Sequence, residues 1–228
     1  MAISSIFMEE SQVQQGGRPE LAGLAALGFV DERGNVQSVE NWIFTLADRE
    51  VASAIAELYG GAPEETNSPK DHYIRVFTER PSVPILLSGP EALAQDFKMW
   101  ANKQLTHHCD GRVYLSPDNR KGRACGCPPT LDEILQNAKD GIGPKPEVRV
   151  TFSLMDDEEL GTFQLKTGST VFARSELFRV ASSLDRIGGP AVADMEIVQV
   201  TTKSRKQFKY PNITNIRSYS DAVAEPRG

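Results

Sequence analysis

All three cysteines of this chain and two of its three histidines fall between positions 107 and 127, where little else can hold the backbone in place. His107-His108-Cys109-Asp110-Gly111 is followed, across a basic loop, by Cys125-Gly126-Cys127-Pro128. Positions 116–130 are rich in Pro, Gly, Lys and Arg and carry few apolar side chains, so burial alone cannot order them. A bound metal would. In a strand, alternate residues project from one side, so His107 and Cys109 form one pair of candidate ligands and Cys125 and Cys127 the other, two pairs that close a tetrahedron. His108 then points the opposite way, as a supporting or solvent-facing residue, and one flipped turn would exchange the two histidines. The spacing is not that of the C-x-x-C ribbon, and the competing explanation is three buried or free thiols beside two surface histidines. The clustering around a coreless loop favours a zinc knuckle holding Zn2+. Such a site is structural, since four protein ligands leave no open position for substrate water.

The formal charge of -6 and a pI near 5.2 repel a phosphate backbone on average, which argues against strong DNA binding by this chain alone and for a protein partner. Three cysteines cannot all pair, which fits a reducing compartment better than a disulfide framework. The longest apolar stretch, Leu21 to Val30, is interrupted by glycines and is shorter than the about 20 apolar residues a membrane span needs. No basic segment followed by a long apolar run opens the chain, so an intracellular location is expected.

The expected fold class is α+β, mostly antiparallel strands with two main helices and the knuckle, in two lobes. Residues 1–20 read as a flexible arm, 21–140 as an N-terminal lobe carrying the knuckle at 105–130, 141–217 as a C-terminal lobe, and 218–228 as a frayed tail. Asn41 to Thr45 reads as a short strand. Asp48 then caps a helix with Val51, Ile55, Leu58 and Tyr59 on one face, which stops at Gly60-Gly61. Tyr73 to Thr78 and Val83 to Ser88 read as the two strands of a hairpin. A helical turn follows Pro90, while 91–103 fits helix and strand equally. A short helix at Leu131 to Ala138 precedes the hinge Gly141-Ile142-Gly143-Pro144-Lys145-Pro146, which marks a lobe boundary. Beyond it Val148, Val150, Phe152 and Leu154 alternate at period two, and Gly161 to Lys166 supplies a partner strand. A helix over 170–187 turns Val171, Leu177, Phe178, Ala181 and Leu184 to a core and ends at Gly188-Gly189-Pro190. Ala191 to Thr201 and Phe208 to Ile216 return as strands.

Other chemistry is thin. Asp156-Asp157-Glu158-Glu159 sits between alternating segments, and consecutive carboxylates there diverge, so a solvated turn is expected instead of a magnesium site. Two basic stretches, Arg112, Arg120, Lys121 and Arg123 near the knuckle and Lys203, Arg205, Lys206 and Lys209 near a strand, read as solvated faces able to make secondary phosphate contacts. His72 lies in a polar loop near Lys70 and Asp71. No P-loop, G-x-G-x-x-G turn or G-x-S-x-G elbow is present, and no nucleophile, base and orienting group can be named as a set, so no enzymatic activity is expected.

Several strings, in order, resemble the actinophage recombination directionality factors that act with large serine integrases. They are Trp42-Ile43-Phe44-Thr45, Asp48, Ala54-Ile55-Ala56-Glu57-Leu58-Tyr59-Gly60-Gly61, Cys109-Asp110-Gly111, Cys125-Gly126-Cys127-Pro128, the 141–146 turn, and Leu160-Gly161-Thr162-Phe163 leading to Thr167-Gly168-Ser169. The resemblance runs from about residue 20 to about 215. One departure is Glu64-Glu65-Thr66, where the family often carries a tryptophan after the helix and its proline, so contacts in that loop differ. What the resemblance implies is a regulator that binds an integrase on its DNA in the cytoplasm of a bacterial host. It would activate excision (attL × attR) and inhibit integration (attP × attB), leaving the serine nucleophile to its partner. A zinc-containing nucleic-acid-binding phage protein of replication or repair is the alternative, supported by the basic loop around Arg120. A metal-dependent hydrolase ranks last.

Overall fold

A computed structural model of the chain describes residues 20–31, 33–66, 73–201, 205 and 207–224. Among the described residues, twelve strands and four α-helices follow one another as β1 (Gly23–Val30), β2 (Val36–Leu46), α1 (Arg49–Tyr59), β3 (Pro63–Glu65), β4 (Ile74–Phe77), β5 (Ser82–Leu87), β6 (Leu93–Ala101), β7 (Gln104–Cys109), β8 (Tyr114–Ser116), α2 (Leu131–Lys139), β9 (Lys145–Leu154), β10 (Phe163–Thr167), α3 (Leu177–Ile187), β11 (Ala191–Thr201), β12 (Gln207–Ser218) and α4 (Tyr219–Ala224). The fold is α+β with mostly antiparallel strands, and no described helix is long and apolar enough to cross a membrane. The arm expected over 1–20 lies, apart from Glu20, outside the described residues.

Two compact units divide the chain. Gln95–Glu147 make the smaller one, and Leu21–Ala94 with the segment from Val148 onward make the larger. This partition differs from lobes cut near residue 141. The Gly141–Pro146 turn lies close to one border of the smaller unit, but the other border falls inside β6, where no turn residue signals it.

The larger unit is built on strands in the order β12-β11-β5-β9-β10-β1-β2-β4-β3. Every neighbouring pair is antiparallel except β1 and β10, which run parallel with Gly23 beside Phe163. The period-two pattern of β9 works as sequence physics requires, because Val148, Val150, Phe152 and Leu154 all lie buried on one face. They pair with β10 through Phe152 and Phe163. Helix α1 begins where Asp48 accepts hydrogen bonds from the Glu50 and Val51 amides at 2.7 and 3.2 Å. It ends at Gly60 and Gly61. Gly61 has φ +89°, and a Cβ there would collide with the Phe77 carbonyl oxygen, so only glycine lets β4 pass this close. Above the sheet Phe44 stacks on Tyr59 with centroids 6.4 Å apart and meets Phe163 edge-on at 5.6 Å. Trp42, fully buried, donates its indole N–H to the Met195 carbonyl at 2.9 Å.

Several local expectations are corrected by this topology. The two strands expected as a hairpin, β4 and β5, do not pair. β4 lies between β2 and β3, and β5 between β11 and β9. The Thr78 and Glu79 amides donate to the Trp42 carbonyl of β2 and the Tyr59 carbonyl at the end of α1, both at 2.9 Å, so the chain leaving β4 is tied to these elements and not to β5. The strand expected at 41–45 is the end of the longer β2, paired with a β1 formed by the glycine-interrupted apolar run. The ambiguous segment 91–103 is a 3-10 turn, Pro90–Ala92, followed by β6. In the helix at 170–187 a π turn, Phe172–Glu176, precedes α3, and its extra residue shifts the apolar stripe. Phe172 and Val180 are thereby buried with Leu177, Ala181 and Leu184, while Phe178 is half-buried. In the expected tail, α4 occupies Tyr219–Ala224, its Asp221 amide donating to Ser218 Oγ at 3.1 Å.

Candidate metal centre

The smaller unit has little apolar material to fold around. Its central cluster contains Phe97, Cys109, Cys125 and Ile134, with Tyr114, Cys127 and Leu131 packed at the margin. Three of these seven side chains are thiols. Strands β6, β7 and β8 form an antiparallel meander, and β7 faces β6 through Phe97 opposite Cys109 and Met99 opposite His107.

A run of local hydrogen bonds folds the basic loop so that the second thiol pair returns to β7. Asp110 Oδ1 accepts from the Arg112 and Val113 amides at 2.7 and 2.8 Å, turning the chain into β8. Val113 bridges Ala124, the Tyr114 amide donates to the Arg123 carbonyl, and the Cys125 amide donates to the Arg112 carbonyl at 2.8 Å. Thr130 then caps α2. Its hydroxyl donates to Glu133 Oε2 at 2.7 Å and accepts from the Glu133 amide at 3.3 Å, a reciprocal box at the helix start.

The alternation along β7 does what period two demands. His107 and Cys109 project together, with Nε2 to Sγ at 3.1 Å. Cys127 Sγ lies 3.6 Å from Cys109 Sγ and 3.5 Å from His107 Nε2. With Cys125, the four donor atoms all lie within 4.8 Å of one another, so the quartet can hold a metal ion. A tetrahedral ion with metal–sulfur bonds of ~2.3 Å and metal–nitrogen bonds of ~2.0 Å sets its ligands roughly 3.5–3.8 Å apart, close to the spacing found here. The cysteines are free, and a sulfur–sulfur distance of 3.6 Å is far from the about 2.05 Å of a disulfide.

Burial also shifts the protonation of these donors. Burial raises the Cys109 thiol well above its ordinary range, with Cys127 and Cys125 adding to the effect against a lowering hydrogen bond from Gly111. Burial, then hydrogen bonding from Cys125, pushes Cys127 up to about 11. His107 is lowered by burial, by Arg120 and by His108. A group of donors taken out of water without positive charge resists becoming thiolate, and a divalent cation reverses that preference by neutralising the developing charge.

Of the two histidines, His107 lies with the thiols, whereas His108 has other partners. Its Nε2–H meets Asp96 Oδ2 at 2.8 Å and its Nδ1 meets Ser116 Oγ at 2.8 Å, on the opposite side of β7 from the thiols. Asp96 is only 2% exposed, and Lys98 Nζ lies 3.8 Å from it and 2.6 Å from Glu147 Oε1. His108 thus ties β6, β7 and β8 together through side-chain contacts, beside the strand that carries His107 and Cys109. Asp96 carries no signal in the sequence, because its partner lies on another strand. Replacing it with alanine leaves the His108 N–H without its acceptor, with an expected cost of about 1–3 kcal/mol. A thermal melt checks this, and an unchanged midpoint would show that the cross-strand link contributes nothing.

The remaining charged groups have local roles. Arg120 lies over the Tyr114 ring at 5.5 Å, and that ring is 4.8 Å from His107. Lys209 Nζ donates to the Val39 carbonyl at 2.7 Å. Lys203 and Lys206, like Lys70, Asp71 and His72, lie outside the described residues. In the acidic run, Asp157 caps a 3-10 turn by accepting from the Glu159 amide at 3.1 Å, and Glu158 accepts from the Tyr219 hydroxyl at 3.0 Å.

A sequence model of a family described as Gp3-like, recombination directionality factor-like, matches residues 14–216, covering most of both units. No solved structure matches the chain.

Proposed function

The chain belongs to the Gp3-like family of recombination directionality factor-like proteins, and from that premise we propose that it binds a large serine integrase on its attachment-site DNA, promoting excision and suppressing integration. The observation that carries the proposal is the family match over residues 14–216. In this account the chain performs no strand chemistry. Its contribution is binding energy, and the metal centre serves as scaffold.

Zinc is the ion that the donor set suits best. Three thiol sulfurs and one imidazole nitrogen select a soft-tolerant ion of tetrahedral preference, and all four positions are taken by protein. When bound, the ion would supply a fixed cross-link between β7 and the segment around Cys125 and Cys127. His107, Cys109, Cys125 and Cys127 would hold it, with His108 and Asp96 keeping β7 in position.

A ligand that binds two arrangements of the integrase equally changes nothing, so this protein must prefer the excision-competent arrangement. Carrying an equilibrium from 1:99 to 99:1 takes about 10⁴-fold preference, or ~5.5 kcal/mol. The test mixes purified integrase with attL and attR, or with attP and attB, with and without this protein. Excision products should appear only when it is present, and integration products should fall. Equal product yields in its presence and absence for both substrate pairs would refute the proposal.

A further inference from the structure

We propose that Arg112, Arg120, Lys121 and Arg123, gathered beside the Cys/His quartet, form a contact for the phosphate backbone of DNA. This rests on the function proposed above, in which an integrase holds that DNA while this chain binds. Backbone hydrogen bonds bring the four cations together across the loop. The Tyr114 amide donates to the Arg123 carbonyl and the Gly122 amide to the Tyr114 carbonyl, both at 2.9 Å. The Cys125 amide donates to the Arg112 carbonyl at 2.8 Å, so Arg112 and Arg123 lie on neighbouring segments of a short ladder that includes the Val113–Ala124 bridge. The Arg123 amide donates back to the Arg120 carbonyl at 3.0 Å, and the Arg120 guanidinium lies 5.5 Å from the centre of the Tyr114 ring. Lys121 sits between them, its amide bonded to the Pro117 carbonyl at 3.1 Å.

These charges face water. All four residues are exposed, and the ion pairs among the described residues include none of them. From 112 to 123 the chain carries four cations and one carboxylate, Asp118, in a protein whose net charge is -6. Asp110, just ahead, has one carboxylate oxygen engaged by the Arg112 and Val113 amides. Three of the four cations are arginines, whose planar fork of donors matches a pair of phosphate oxygens.

The occupant follows from what this surface lacks. Between residues 109 and 130 no large apolar side chain is exposed. A protein partner is held through an apolar centre from which charge is depleted, whereas interfaces with DNA are more polar and more positively charged. Four cations are too few to hold a free duplex against the charge of the whole chain, since phosphate-driven binding typically engages about 6–10 contacts. They suffice to add contacts once another protein has brought the duplex to them. Such contacts fix position and orientation and read no bases.

The experiment measures equilibrium binding of the full chain to its cognate large serine integrase, alone and on an attL duplex, at about 50 and about 200 mM salt. The variant combines Arg112→Ala, Lys121→Ala and Arg123→Ala. On the integrase–attL complex the wild type should lose roughly 40-fold more affinity over that rise in salt than the variant does, the amount that three phosphate contacts supply. On integrase without DNA the two should bind alike. Melting curves and metal content matching the wild type confine the effect to the surface. If the triple variant melts early or loses its metal, Lys121→Glu, in the turn ahead of the ladder, decides by the same comparison. Equal salt dependence of variant and wild type on the integrase–attL complex overturns the phosphate contact and leaves the proposed function standing. A variant weakened as much on integrase without DNA assigns the cations to an acidic surface of the partner and also overturns it. A wild-type chain that binds the integrase neither alone nor on DNA overturns the functional proposal and the phosphate contact with it.

Discussion

Replacing Cys125 and Cys127 together by serine is expected to remove the bound metal and unfold the chain around residues 105–130 while the strands of the larger unit persist. The reason lies in how little else holds that region. Of the four buried side chains in its cluster, Cys109 and Cys125 are thiols, leaving Phe97 and Ile134 as the buried carbon side chains next to them, with Leu135 and Ala138 buried elsewhere on α2. Burying two such side chains stabilises by roughly 1.5–3 kcal/mol each, whereas fixing each residue's backbone costs about 1–2 kcal/mol. Structural zinc in small metal-dependent folds contributes on the order of 10–16 kcal/mol, enough to order a loop of this length. Hydrogen exchange read by mass spectrometry should show protection lost across 105–130 and retained in β9 to β12. Metal analysis should give one zinc per wild-type chain and none in the double variant. A chelator should reproduce the variant, and acidification should release the ion because each ligand must shed or lack a proton to bind. Freshly purified wild-type protein without stoichiometric metal, or a variant with unchanged protection, would remove the centre from the account.

The second large effect belongs to Trp42. Trp42→Ala deletes a fully buried side chain on β2 and strips the Met195 carbonyl of its indole donor. Large-to-small changes of this kind cost about 3–5 kcal/mol. Against a total stability of about 5–15 kcal/mol that is a serious fraction. For a chain of this size it corresponds to a fall of roughly 6–20 °C in the melting midpoint. Trp42→Phe, which keeps most of the volume and loses the hydrogen bond, should fall by less. A drop for Trp42→Ala no larger than that of Trp100→Ala, which removes a side chain that is 61% exposed, would mean that the core around Phe44, Tyr59 and Phe163 is not the one described.

What could be read from the sequence was what neighbouring residues decide. Helix α1 was legible because cap, stripe and terminal glycines lie within a few positions of one another. The quartet His107, Cys109, Cys125 and Cys127 was legible because strand alternation is a local rule and cysteines are scarce. Partner choice among strands was not. The pattern of β5, with Val83, Ile85 and Leu87 all enclosed, says that it is central, yet nothing in it says that β11 and β9 are its neighbours. β4 and β5 stand next to each other in the chain with turn residues between them, and proximity suggested a pairing, whereas β4 lies between β2 and β3 and β5 between β11 and β9. The border of the smaller unit within β6 was hidden for the same reason, since a strand can pass from one unit to another without a glycine or proline to mark it. In α3 the stripe was read with a constant period, and the π turn altered its phase.

The strand order of the larger unit also dictates a timetable for a nascent chain. On the ribosome β5 emerges early, but β9 and β11, which flank it, are made much later, and β1 waits for β10 as well. The residues from Gln95 to Glu147, by contrast, find their partners among themselves and emerge in one piece. The smaller unit can therefore bring His107, Cys109, Cys125 and Cys127 together while β10 to β12 are still unsynthesised. The last strand to emerge, β12, then completes the assembly by zipping onto β11.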